Sequence, residues 1–169
     1  MNRGLRALAM TVGALWTAPN SLIGLVGGLA GMCFGARPTL QTGDFALVFH
    51  KWPWGPGGAI TFGNVILNTN ATLDGVCRTY ADRAGWCAQP KTRIGDHERG
   101  HVLQYMALGP LFLPLYLLSG AVSPRNRLER AADRYALTGR GWWPWSRLNS
   151  KAAYLAEFSP RRPDDSAIA

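Results

Sequence analysis

The sequence predicts an α+β chain that is mainly helical, with a small antiparallel sheet and an apolar helical segment at its N-terminus. Three observations carry that class. Residues 7–35 form an apolar run with no charge until Arg37. Two stretches rich in β-branched and aromatic residues, 44–50 and 59–67, flank a Gly/Pro-rich connection at 52–58, as paired strands do. Beyond residue 92, two segments of helical length end at glycines, Gly109 and Gly139.

At 169 residues the chain suits one domain with its own core. Its three cysteines, Cys33, Cys77 and Cys87, are an odd number, which excludes a complete disulfide framework. Cys77 and Cys87 are close enough to pair across a short loop, and no C-x-x-C exists to build a cysteine zinc site. The net charge of +8 comes mostly from 15 Arg against 3 Lys. These arginines are scattered and no nucleic-acid motif accompanies them, which argues against a nucleic-acid partner. Basic residues flanking apolar segments suit anionic lipid better.

Taken in order, Arg3 and Arg6 precede the first apolar run, which exceeds the ~20 residues needed to cross a bilayer. A break at Thr17-Ala18-Pro19-Asn20-Ser21 allows one kinked span, a helix hairpin or re-entrant pair, or a signal peptide before a mature apolar helix. The last lacks a clean small-x-small cleavage site. A buried helix pair of a soluble protein is the alternative to all three. Gly24-x-x-Gly27 and Gly27-x-x-x-Gly31 predict close helix approach in lipid.

Strands are expected over 44–50 and 59–67, as an antiparallel hairpin or small meander. Residues 68–75 read as a loop, and Asn70-Ala71-Thr72 is a glycosylation sequon only in a eukaryotic secretory context. A short helix or loop covers 79–89. The next helix spans 93–108, with Thr92 as its N-cap and Gly109-Pro110 as its stop. The run 111–122 reads as a core or interfacial helix. Ser123-Pro124 then supplies an N-cap and first helical position for a helix over 125–138, and Gly139 sits at its C-cap. Trp142-Trp143-Pro144-Trp145 with Arg147 suits either a membrane interface or a packing patch. Residues 148–169 form a C-terminal tail expected to be largely disordered.

The chemistry concentrates at His97-Glu98-Arg99-Gly100-His101. Two imidazoles four residues apart share a helix face and can reach one zinc ion, with Glu98 placed to hold a water beside it. A third ligand is needed, and the chain has only one other His, His50, and two other Glu. Glu129 is favoured: its helix is capped, Asp133 follows one turn later, and Ala131 and Ala132 permit close packing. Asp133 can then accept the free ring N–H of a ligand His. The alternative for Glu129 is a surface salt bridge to Arg125 or Arg130.

This H-E-x-x-H … E-x-x-x-D pattern resembles the gluzincin zinc metallopeptidases. The E-x-x-A-D-x-x-A form from Glu129 to Ala136, and Gly100 before the second His, are similar to membrane metallopeptidases that include CAAX-prenyl endopeptidases and heat-shock membrane proteases. The run from Gly109 to Tyr116 is similar to small uncharacterised bacterial H-E-x-x-H proteins. The resemblance covers about residues 58–138.

With the apolar run read above as a membrane-associated segment at 1–36, the resemblance gives a zincin-like domain at 37–147. Zn2+ would be held by His97, His101 and Glu129, with Glu98 as general base and Asp133 behind a ligand His. It implies a peptide or protein substrate, contact with membrane lipid, and a place at a bacterial inner membrane. The strand at 59–67 would align an extended peptide. No His follows the motif to stabilise a transition state, which leaves Tyr135 or an arginine for that task. The competing reading is a non-catalytic membrane protein with a structural or vestigial zinc site.

Overall fold

The N-terminal apolar run folds as two helices, α1 (Arg3–Trp16) and α2 (Ala18–Met32), that meet at a bend of 72°. The computed structural model describes residues 3–41 and 45–158. The break expected over five residues is confined to Thr17, and Pro19 falls in the first turn of α2, where its missing N–H removes no helical bond. The glycines of α2 do permit close approach, but to a sheet. A Cβ on Gly24 would lie 2.7 Å from Val65 Cβ, and one on Gly28 would lie 2.2 Å from the Phe49 ring. The helix–helix contact in lipid expected of these glycines is therefore a helix-on-sheet contact.

The strands are β1 (Arg37–Gln41), β2 (Ala46–His50), β3 (Ala59–Phe62) and β4 (Val65–Asn68), in the order β1-β2-β4-β3. β1 with β2 and β3 with β4 run antiparallel, whereas β2 and β4 run parallel, with Leu47 opposite Val65 and Phe49 opposite Leu67. The sheet is mixed, which corrects the antiparallel expectation. The stretch 59–67 is a hairpin in itself, because Gly63 at φ 61° and Asn64 turn the chain between Phe62 and Val65. β3 lands at the outer edge and β4 returns between it and β2. β1 escaped sequence reading because it is an exposed edge strand of mixed polarity with Pro38. Asp44, the expected start of the first strand, lies outside the described residues.

Alternate residues of β2 and β4 face opposite layers. Phe49, Val65 and Leu67 pack under α2, while Ala46, Val48 and Ile66 pack with Val102 and Met106 of the next long helix. The N-terminal segment is thus part of the same packed body as the sheet.

A two-residue ladder, β5 (Val76–Cys77) with β6 (Thr92–Arg93), brackets α3 (Tyr80–Arg83), whose N-cap Thr79 accepts from the Asp82 backbone N–H. Cys77 and Cys87 are free thiols, as is Cys33. α4 (Ile94–Leu108) carries the motif. Thr92 is a buried residue of β6, and Arg93 holds the N-cap position without a side-chain cap. A 3₁₀ turn at Gly109–Leu111 leads into α5 (Phe112–Leu118), then α6 (Arg127–Thr138). The cap of α6 is Asn126, whose oxygen accepts from Leu128 N while its Nδ2 donates to the carbonyls of Tyr116 and Ala121. That one side chain ties two helices together, which Ser123 could not do. Gly139 ends α6 at φ 68°, as expected.

The tail expected to be disordered begins with structure. Residues Arg147–Asn149 form a 3₁₀ turn and Lys151–Phe158 form α7, whereas 159–169 lie outside the described residues. Asn149 is fully buried, accepting from Arg134 Nε at 3.0 Å and donating to the carbonyls of Gly141 and Trp143. This closes the tryptophan segment onto α6.

Candidate metal centre

The site exists because α4 and α6 come unusually close. A Cβ on Gly100 would sit 2.9 Å from Ala132 Cα, so backbone faces backbone at the crossing. Ala131 and Ala132 are completely buried there. On each helix two functional residues stand one turn apart, His97 and His101 on α4, Glu129 and Asp133 on α6, and the crossing turns the two pairs toward each other.

His97 Nε2, His101 Nε2 and Glu129 Oε2 converge. The two nitrogens are 3.1 Å apart, and the carboxylate oxygen is 3.1 Å from one and 3.2 Å from the other. These three buried residues form a group that can hold a metal ion. A triangle of that size is nearly the face of a tetrahedron whose centre lies about 1.9 Å from each corner, close to the ~2.0–2.1 Å at which zinc binds nitrogen and oxygen.

The outer hydrogen bonds settle which nitrogens face the centre. Gln104 donates through Nε2 to the carbonyls of Leu128 and Trp142, at 2.9 and 3.0 Å, which fixes its Oε1 toward His101 Nδ1 at 3.0 Å. His101 must donate from Nδ1, leaving Nε2 with a lone pair. His97 Nδ1 donates in the same way to Asp133 Oδ1 at 3.0 Å, and Asp133 Oδ2 is held by the backbone N–H of Tyr80 at 2.7 Å. Asp133 thus makes the contact with a motif histidine that its spacing predicts. Three lone pairs therefore point into a space some 3 Å wide, an arrangement that is repulsive unless a proton or a cation lies between them.

The electrostatics agree. Burial pulls the His97 imidazole down, but Asp133 and Glu129 beside it outweigh that and hold it well above its ordinary value. Burial likewise opposes charge on Glu129, yet His101 and His97 hold its carboxyl well below the usual range. Both shifts describe a site that demands positive charge. Tyr116 adds a further restraint by donating its hydroxyl to Glu129 Oε1, the oxygen that faces away from the histidines. Burial first, and the Glu129 charge second, push that phenol far above its ordinary value, so it remains a donor.

Glu98 is buried beside the triad, and its Oε2 accepts from Thr61 Oγ1 of β3 at 2.6 Å. Triad and Glu98 share a cavity of about 540 Å³, walled by Trp52 and Trp54 on one side and Leu113 and Val122 on another, with the edge strand β3 along it.

Three expectations need correction or settling. Tyr135 does not line this cavity: it lies two residues, roughly 200°, round α6 from Asp133. The tyrosines that line it are Tyr80, Tyr105 and Tyr116. Glu129 makes its contacts with the histidines, while Arg130 turns to the carbonyls of Pro124 and Arg125. His50 lies on β2 and pairs with Asn68, away from the triad.

Sequence reading missed Thr61, Gln104, Tyr116 and Tyr80. Only Gln104 left a local signal, standing three residues after His101 on the same helix face. Comparison with protein-family models, curated proteins and solved structures found no match.

Proposed function

We propose that this chain is a membrane-associated, zinc-dependent peptidase of the gluzincin type. The observation that carries the reading is the pairing, in one cavity, of three converging metal-ligand atoms with a second buried carboxylate, Glu98, beside an edge strand. A purely structural zinc site has use for the first of these and none for the second or third.

Bound zinc would supply a Lewis acid and lower the pKa of its water. The remaining work belongs to the protein. Glu98 takes the proton of the attacking water and returns it to the departing amine. Thr61 holds one oxygen of Glu98, so that the other stays turned to the reaction. Tyr116 donates to Glu129 Oε1, which would leave Oε2 as the oxygen offered to the metal. β3 has β4 on one side and no strand on the other among the described residues, so its free edge can pair with an extended peptide along the cavity. The apolar outer face of α1 and α2 supports a membrane setting. Together the two helices are long and apolar enough to reach across a bilayer as one bent segment, by length and composition.

The test uses the full chain. One zinc per chain and chelator-sensitive cleavage of a quenched-fluorescence peptide library are expected. Glu98→Gln keeps the zinc and loses the cleavage. Stoichiometric zinc with no cleavage by the parent protein would leave a structural site, and full activity of Glu98→Gln would remove Glu98 as the base.

A further inference from the structure

The helix pair at the N-terminus is built inside out. On α2, Gly24 and Gly28 are buried against the sheet and Gly31 against Trp52, while Leu22, Ile23, Val26 and Leu29 are each 52–68% exposed. A helix surrounded by water places its leucines inward and its small residues wherever space demands. On α1, Leu8, Val12 and Leu15 continue the same outward apolar face, at 57–71% exposure.

We infer that this face docks into one leaflet of an anionic bilayer, with α1 and α2 lying along the interface and neither crossing it. The inference rests on the membrane association proposed above and specifies its geometry.

Lipid suits the face better than a second copy of the chain does. No charged residue occurs from position 7 to 36, so the apolar face carries no charge of its own that a hydrocarbon layer would have to desolvate. Charge flanks this uncharged run in the sequence, with Arg3 and Arg6 before it and Arg37 after it, on a chain of net charge +8. That places cations where an apolar segment meets anionic headgroups.

Spanning conflicts with how the pair is packed. The inner side of α2 is covered by β3, β4 and Phe49 of β2 over the length of its glycines. Carrying α2 across would take the free edge of β3 into hydrocarbon, where unpaired backbone N–H and C=O groups cannot be tolerated. α1 has 14 residues, about 21 Å of helix, which is short of the ~30 Å apolar core. The corner between the helices is also pinned. Asn20, buried at the start of α2, donates its amide to the Gly109 carbonyl at the end of α4, at 2.8 Å. Swinging the pair away to insert it would break that bond.

Docking in the plane also orients the metal centre. Phe34, exposed just beyond α2, meets the Trp54 ring edge-on at 5.2 Å, and Trp54 lines the cavity that holds the triad. The docking face therefore continues into the cavity rim.

The experiment floats the full chain with vesicles of phosphatidylcholine containing about 30% phosphatidylglycerol and compares pure phosphatidylcholine. Zinc content is read on every sample. The parent is expected to float with the anionic vesicles. A Leu22→Glu/Val26→Glu variant, and separately Leu8→Glu/Val12→Glu, should lose about tenfold or more of the bound fraction with zinc unchanged, since each of these side chains is more than half exposed.

Topology is read by a membrane-impermeant maleimide on the native Cys33 and on Gly4→Cys. Docking makes both reactive from outside intact vesicles, whereas the pair inserted as a single bent span shields one until lysis. Parent protein that stays unbound overturns docking and membrane association together, and a dimer dissolved by Leu22→Glu/Val26→Glu would assign the face to a second copy. Binding with one shielded cysteine overturns docking alone. The zinc measurement stands apart from all of these, so the metal-centre reading survives or fails by itself.

Discussion

Asp133→Asn tests the metal centre through a residue that does not touch the metal position. Asp133 is 1% exposed and accepts two hydrogen bonds, from His97 Nδ1 at 3.0 Å and from Tyr80 N at 2.7 Å. An amide of the same shape cannot accept both. With its oxygen toward His97, its NH2 faces the Tyr80 N–H and two donors collide. Reversed, its N–H donates to His97 Nδ1, which sends the ring proton to Nε2, the corner of the ligand triangle. Either way one charge-assisted bond worth about 1.5–3 kcal/mol is lost.

Loss of such an outer partner lowers metal affinity about 10–100-fold, which at 1.36 kcal/mol per decade is about 1.4–2.7 kcal/mol, so the two routes agree. The assay is zinc competition against a chromophoric chelator at fixed pH, with circular dichroism to confirm the fold. Asp82→Asn, which breaks an ion pair to a mostly exposed Arg78, serves as the control and should leave zinc affinity unchanged. A zinc Kd for Asp133→Asn within about threefold of the parent would refute both the role of Asp133 and the tautomer assigned to His97.

Three further outcomes follow from the same geometry. Thr61→Val removes the hydroxyl that donates to Glu98, so turnover should fall about tenfold or more at full zinc occupancy, measured as kcat on a cleaved peptide. Gly100→Ala places a methyl 2.9 Å from Ala132 Cα. The overpacking of about 1–3 kcal/mol is partly offset by about 1 kcal/mol of helix propensity, so stability falls by up to about 2 kcal/mol, and α6 and Glu129 move away so that zinc affinity drops in the same competition assay.

The pH dependence has opposite signs with and without metal. His97 is held above its ordinary value by Asp133 and Glu129, so its imidazolium stabilises the metal-free fold below the unfolded-state pKa, and that stability is lost as pH rises through the raised value. Melting temperature of chelator-treated protein should therefore fall with rising pH across that window. Zinc affinity should rise there, because the proton and the metal compete for the same nitrogens.

What could be read from the sequence follows the distance over which each signal acts. His97 with His101, and Glu129 with Asp133, are neighbours on their own helices, so helical spacing alone reveals that each pair shares a face. That the two faces meet needs only the small residues Gly100, Ala131 and Ala132, which are also visible. Thr61 and Tyr116 join the site through contacts 37 and 13 residues long, and nothing in their local sequence marks them. The sheet shows the same division. The stretches that hold β2, β3 and β4 are legible from composition while β1 is not, and the parallel pairing of β2 with β4 depends on Gly63-Asn64 folding 59–67 back on itself, a two-residue turn concealed within an apolar run. The glycines of α2 announce close approach without naming the partner, because a helix and a sheet ask the same thing of them.

These limits bear on how the centre is stabilised. The outward-facing atoms of the four metal-centre side chains are taken: Nδ1 of His97 and His101, both oxygens of Asp133, and Oε1 of Glu129. Their partners come from α3, α4, α5 and α6, so the three inward atoms are held in place by tertiary packing. A protonated His97 can relieve their mutual repulsion through one hydrogen bond to Glu129, whereas a divalent cation satisfies all three lone pairs together. The packed fold therefore holds three atoms where one cation can satisfy them together, and the residues that fix them, Asp133, Gln104 and Tyr116, should tune zinc affinity more strongly than any change on the cavity rim.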